Sequence, residues 1–397
     1  MTHYQESRED TVQSPLSSSS PLLTTVPGAD SACSFEIPLR IRISFDPHGG
    51  MPSWQAAESA MQTIESPAAT IPSAEASHAA KQAAAPVITY QEFLEMVDDP
   101  EITAQELAPY FVRDESLDQR LDPGFRIHPG KVIMDPASAA METAGALNIA
   151  NWIEKKKRQQ RYVKQLRENP NRIRVVSEGD SWFQYPFMLY DIIDHLMDRP
   201  ELGIFCCSEA GDVISSMLPK GEFYVPIQRE DARIFLFSGA GNDLVDGAGL
   251  RRFLRNRPTG SPAKDHFTPA YRQFMANIAL QYETLFTRVL RHKPDIHIIC
   301  HGYSDAVPQP TKGKWLGKPM TEVGITDART QFQIVQIILK DLNELLARTA
   351  AKFGRSATHV DLRGIVPANG WHDEFHPTSD YYGKAAAPLY QAILSHA

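Results

Sequence analysis

From Arg172 onward the chain repeats one pattern, a short and nearly continuous apolar run followed by a longer stretch with apolar residues at helical spacing. The runs are Ile173–Ser177, Gly203–Ser208, Arg233–Ser238, Ile296–His301 and Thr358–Leu362. Strands that are apolar at nearly every position are covered on both faces, as in a parallel sheet with helices on either side. The intervening helices are read over Phe187–Met197, Asp212–Met217, Tyr271–His292 and Thr326–Phe353, with Tyr381–Leu394 closing the chain. Phe274, Ile278, Tyr282, Leu285 and Val289 form one helical stripe, and Val335, Ile338, Leu342 and Leu346 form another. This alternation predicts an α/β fold, a three-layer α/β/α sandwich on about five parallel strands.

Upstream of Arg172 the chain reads differently. Residues 1–86 are expected to be largely disordered tail and linker. Their Ser/Thr/Pro and Ala/Ser/Pro/Gln compositions lack the apolar density to offset ordering entropy, apart from one strand over 35–45 where Ile37, Leu39, Ile41 and Ile43 alternate with polar residues. Residues 87–171 are expected to be a small helical accessory region, with helices over Gln91–Val97 and Thr103–Phe111 and a long one over Ala137–Glu168. Thr103 with Glu106 three residues on is a capping-box signature. The basic run Lys155–Arg158, with Arg161, reads as a solvated helix face in preference to a lipid or partner contact. Residues 172–397 form the third unit.

The net charge of −8 lacks the basic excess that phosphate neutralisation demands, so nucleic acid is not an expected partner. Cys206, Cys207 and Cys300 lie in apolar runs and, with Cys33, show no metal-ligand spacing, so they are read as reduced thiols. The polar, acidic first ten residues are unlike a secretory signal, and no run approaches transmembrane length. The expected location is cytoplasmic, or exported without a cleaved signal peptide.

In open α/β sheets, ligands collect beyond the carboxyl ends of the strands. Ser181 follows the first strand, in Gly179-Asp180-Ser181; Gly211 follows the second; Asn242-Asp243 follows the third; Asp373-Glu374-Phe375-His376-Pro377 follows the fifth. A serine hydroxyl needs a base, an orienting acid and oxyanion donors before it is a useful nucleophile. His376 can be the base and Asp373 can hold its tautomer. The Ser181 and Gly211 amides and the Asn242 side chain can meet a developing oxyanion.

These four blocks, in this order, resemble the signature blocks of the SGNH/GDSL hydrolases over roughly residues 172–397. The resemblance implies a flavodoxin-like sheet of order 2-1-3-4-5 and ester hydrolysis of the esterase or lipase type. It implies a Ser-Asp-His triad, an acyl-enzyme intermediate and no cofactor. One position departs from the pattern: Ala240 stands where the third block usually has glycine, flanked by Gly239 and Gly241.

A zinc site is the rival for His372 and His376, but Asp373 occupies the position of the metalloprotease glutamate and Pro377 would end the helix such a site requires. No metal is expected. The insertion Tyr303–Gly324, with Trp315, is read as a lid or wall of an acyl pocket, and Trp182 beside the nucleophile as a second pocket residue. Together these favour an ester substrate with an apolar acyl chain, such as a lipid, over a sugar acetate. An acyltransferase or carbohydrate O-deacetylase on the same triad, or a catalytically silent binding or delivery module, are the alternatives. A protein partner for the N-terminal region is left open.

Overall fold

The computed structural model describes residues 84–397, except 118–120, 122 and 247–248, and for 136–148 the backbone alone. The expected tail and the strand over 35–45 lie outside the described residues. Five strands, β5 (Ile173–Glu178), β6 (Leu202–Cys206), β7 (Ile234–Phe237), β8 (His297–His301) and β9 (Ala357–Val360), form one sheet of order β6-β5-β7-β8-β9, parallel throughout. Every residue of β6, β7 and β8 is buried, which is why these strands carry no polar alternation. The chain moves outward from β5 in one direction to β6 and in the other to β7, so right-handed crossovers place successive helices on opposite faces. Counted from β5, this is the 2-1-3-4-5 order.

Helix α4 (Ile192–Met197) packs with α11 (Ser379–His396) on one side of the sheet. Helices α8 (Pro269–His292) and α10 (Ala328–Ala351) pack together on the other, each burying the stripe its sequence predicts. The helix expected over 187–197 begins only at Ile192. Asp191 is its N-cap, accepting from Ile193 N and Asp194 N, and Asp194 returns the bond to the Asp191 amide. Pro186, which stands just before the expected helix and reads in the sequence as its start, therefore does not open it. Phe187 instead takes a left-handed φ of 62° and turns its ring into a separate apolar cluster, stacked at 4.3 Å on Phe111.

That cluster belongs to the upstream region. It holds β1 (Ile88–Thr89), α1 (Tyr90–Asp98), α2 (Ala104–Leu107), β2 (Phe111–Arg113), β3 (Phe125–Ile127) and β4 (Val132–Ile133). Both short helices start on capping boxes, Thr89 with Glu92 and Thr103 with Glu106. The helix expected over 103–111 stops at Leu107, because Pro109 lacks an amide donor and Phe111 leaves as a strand paired with Ile127. Phe93, Leu107, Phe111, Phe125 and Ile153 form the core here.

Ile153 comes from α3 (Pro136–Glu168), and α3 corrects one expectation of the sequence. Its basic run is not a solvated face. Lys155 pairs with Glu209 and Glu222, Lys156 pairs with Asp98, and Lys157 donates to Met96 O at 2.8 Å and Asp99 O at 2.6 Å. Arg158 is buried, with Nη2 2.5 Å from Asp191 and 2.9 Å from Asp194, while Nη1 donates to the Phe183 carbonyl. Arg161 pairs with Asp198. These acids come from α1, from α4 and its caps, from the loop after β6 and from Glu222 further on, so no window of sequence around the run shows them. Further along α3, Tyr162, Val163 and Leu166 enter the main core. Gly203 of β6 lies so close beneath that a Cβ there would meet Leu166 at 3.2 Å.

Removing Arg158 leaves Asp191, Asp194 and Glu154 buried without their cation. Arg158→Ala is expected to lose about 3–5 kcal/mol of stability in denaturant unfolding. A loss below about 1 kcal/mol would show that water or a neighbouring cation takes its place.

Candidate active site

The four loops converge beyond the carboxyl edge of the sheet. Ser181 sits in a tight turn after β5, closed by Phe183 N and Gln184 N donating to Asp180 O at 2.9 and 3.0 Å. Gly179 must be glycine, since a Cβ would meet the Ser238 side chain at 2.8 Å and Phe183 at 2.9 Å. Asp180 Oδ1 accepts from Ser238 Oγ at 2.9 Å and from Trp182 N at 3.1 Å, and Oδ2 accepts from the Tyr303 hydroxyl. Burial pushes the Asp180 carboxyl above its ordinary value, against those three donors. It acts as a bracket for the turn.

His376 Nε2 lies 2.8 Å from Ser181 Oγ, and His376 Nδ1 lies 2.8 and 3.0 Å from the two oxygens of Asp373. Asp373 Oδ1 also accepts from the Phe375 and His376 amides at 2.8 Å. Burial pulls the Asp373 carboxyl upward, but the imidazole and these amides hold it below its usual value. With an ionised Asp373 on Nδ1, the imidazole carries its proton there and presents Nε2 as acceptor to the serine. The 371–377 segment is an irregular turn pinned by a bridge between Trp371 and Pro377, not a helix with two histidines on one face. Among the described residues no group of three or more His, Cys, Asp or Glu is placed to hold a metal.

Asn242 is buried in the first turn of α7 (Gly241–Val245). Its Nδ2 donates to Asp212 O at 2.9 Å and its Oδ1 accepts from Leu121 N at 2.9 Å, which brings it to the Gly211 loop. Ala240, the departure in the third block, takes φ 91°. The turn is kept and an alanine bears the glycine conformation, at a cost of about 1 kcal/mol or more. Gly211 itself has φ 83°, where glycine is at home.

Trp182 has no exposed surface. Its indole lies among His301, Tyr303, Trp371, Phe375 and Tyr382 at centroid distances of 5.2–6.5 Å, with Nε1 donating to Phe375 O at 3.1 Å. It braces the serine turn against the histidine turn from behind. Trp315 is partly exposed, and its ring stands edge-on to His376 at 5.7 Å.

Two residues that sequence reasoning passed over hold this arrangement. Tyr303 accepts from Gly241 N at 2.8 Å while donating to Asp180, so one phenol joins the first and third blocks. Glu374, between the acid and the base, accepts four backbone amides of the 303–324 insertion: Gln309 at 2.6 Å, Trp315 at 3.0 Å, Leu316 at 3.0 Å and Gly317 at 2.7 Å. Gly313 leaves room for it, as a Cβ would fall 1.8 Å from the carboxyl carbon. The insertion, which contains α9 (Gly317–Glu322), is thus clamped to the histidine turn. A carboxylate beside the triad was the only hint in the sequence.

No family model and no curated protein matches the chain. Solved structures do resemble it. An extracellular lipase from Streptomyces rimosus is 14% identical, with 55% of this chain and 99% of that one covered and a TM-score of 0.37. A family 3 carbohydrate esterase from Clostridium thermocellum is 13% identical over 56% of this chain and 98% of that one, at 0.35. A phospholipase A1 from Streptomyces albidoflavus is 14% identical over 56% and 99%, at 0.34. At this identity and overlap the likenesses assign no activity to the chain; its five-stranded parallel sheet and the four loops beyond its carboxyl edge are observed directly, and what it does there is read from its own side chains.

Glu374→Gln keeps the shape but turns an amide group toward backbone amides. It is expected to lose about 2–4 kcal/mol in denaturant unfolding, since buried donors are left unpaired. An unchanged unfolding midpoint would mean that other contacts hold the insertion.

Proposed function

We propose that this protein is a serine ester hydrolase acting through Ser181, His376 and Asp373. The observation that carries this reading is the unbroken chain of short contacts from Ser181 Oγ through His376 to Asp373, assembled from opposite ends of the fold. Ser181 Oγ attacks the ester carbonyl as His376 Nε2 takes its proton, and Asp373 stabilises the imidazolium. The oxyanion is met by the Ser181 and Gly211 amides and by the Asn242 side chain, whose second amide hydrogen has no partner among the described residues. His376 returns the proton to the leaving alcohol, and water cleaves the acyl-enzyme by the reverse sequence. No step requires a cofactor.

Ser181 and His376 are fully buried, so an ester reaches the hydroxyl only when its surroundings give way. The side chains beside the triad are apolar or aromatic: Trp315, Tyr185 at 4.7 Å from the His376 ring, and Leu121 next to Asn242. They favour an apolar acyl chain over a sugar acetate, with Trp315 as the wall of its pocket.

Fluorophosphonate labelling and p-nitrophenyl ester turnover are expected in the wild type and absent in Ser181→Ala; turnover retained in that variant would overturn the mechanism. Trp315→Ala is expected to reduce turnover of a long-chain ester at least tenfold more than that of an acetyl ester. Equal losses on both would remove Trp315 from the acyl pocket.

A further inference from the structure

In the proposed mechanism the two oxyanion donors outside the serine turn sit on loops, and a loop donor is useful only if something fixes its direction. The Gly211 N–H belongs to the peptide whose carbonyl oxygen is Ala210 O. Asn151 of α3 donates from Nδ2 to that oxygen at 3.1 Å, and its Oδ1 accepts from Ala210 N at 2.9 Å. One side-chain amide thus takes both backbone groups of Ala210, as a neighbouring strand would. The pattern admits a single orientation of the Asn151 amide, because the flipped form would face donor to donor and acceptor to acceptor.

The same amide reaches the nucleophile. Gln184, three residues after Ser181 and fully buried, donates from Nε2 to Asn151 Oδ1 at 2.9 Å and to Asn151 O at 3.1 Å. One turn along α3, Lys155 pairs with Glu209, and a further turn on Gln159 donates to Cys206 O at 3.0 Å. A stripe at four-residue spacing therefore tracks the end of β6 and its loop. The other donor is also held from upstream, since Leu121 N fixes which end of the Asn242 amide presents its hydrogens.

We propose that Asn151 is a positioning residue for the oxyanion hole, locking the Ala210–Gly211 peptide so that the Gly211 N–H meets the developing oxyanion. This rests on the ester-hydrolase reading of Ser181. Asn151 touches neither substrate nor the reacting atoms; it acts through the peptide, which its bond to Ala210 O also polarises. Loss of that alignment weakens binding of the transition state while leaving the ground-state ester nearly unaffected.

The test is steady-state kinetics on a p-nitrophenyl ester for the full chain, wild type beside Ser181→Ala, Asn151→Ala and Asn151→Asp, with inhibition by a trifluoromethyl ketone. That ketone adds to the serine and places an oxyanion in the hole. Both Asn151 variants are expected to lose about 10–100-fold in kcat with KM within about twofold, and to weaken ketone inhibition by the same factor. Asn151→Asp keeps the shape and the acceptor but, when ionised, not the donor, so it carries the test if Asn151→Ala fails to fold. Wild-type kcat in either folded variant, or a kcat loss with ketone inhibition unchanged, would overturn this inference alone. A wild type without turnover, or turnover that survives in Ser181→Ala, would overturn the hydrolase reading and this inference with it.

Discussion

Arg158 reaches the serine turn through the Phe183 carbonyl and the start of α4 through Asp191 and Asp194, so one buried guanidinium sets where three segments meet. Its planar fork suits this, since separate nitrogens serve separate acceptors in fixed directions. Asp191 is equally committed: it takes the arginine, the Tyr185 amide at 2.9 Å and the capping bonds of α4. Shifting α3 along its axis would break the bonds of Arg158 to Phe183, Asp191 and Asp194 at once. Desolvating such a cluster is costly, and its net contribution to stability is small or negative against an apolar packing of the same volume. What it provides here is registration of α3 against the turn that carries Ser181.

Three acids near Ser181 share one chemistry and are separated by their surroundings. Asp373 alone faces an imidazole, and that contact keeps it charged. Asp180 sees a phenol, a hydroxyl and an amide; these satisfy its oxygens, yet burial raises its carboxyl. Glu374 is likewise raised by burial, though four amides point at it. Side-chain type does not distinguish these roles; what stands opposite each oxygen does.

The parts of this site legible in the sequence are those written locally. Gly179 before Ser181, Gly211 at positive φ, and Asp373 three residues from His376 each satisfy a turn of a few residues, and apolar runs announced the strands behind them. The limit of local reading shows at Pro186, where a plausible helix start lost to the Asp191–Asp194 cap and to a Phe187 ring committed to another core. The basic run of α3 misled in the same way. Its partners Asp98, Glu209 and Asp191 are distant in sequence, so charge patterning along α3 alone gives a solvated face. Glu374 and Tyr303 were hidden for the same reason, each acting on backbone amides supplied by other loops.

Those long-range contacts share a direction. In the proposed mechanism the four blocks supply the reacting groups, and those groups are aimed by residues outside the blocks: Asn151 on the Ala210 peptide, Leu121 on Asn242 and Tyr303 on Asp180, while Glu374, inside the fourth, holds the 303–324 insertion beside His376. Two of these precede Arg172. A transition state gains from donors already in place, because reorienting a loop during reaction would return part of the stabilisation as reorganisation cost. An α/β sheet fixes the strand ends but leaves the loops beyond them to be held individually. In this chain the upstream helix covers the edge strand β6 and, through its polar stripe, holds the loop that follows it. The same contacts that bury α3 therefore set the direction in which Gly211 presents its amide.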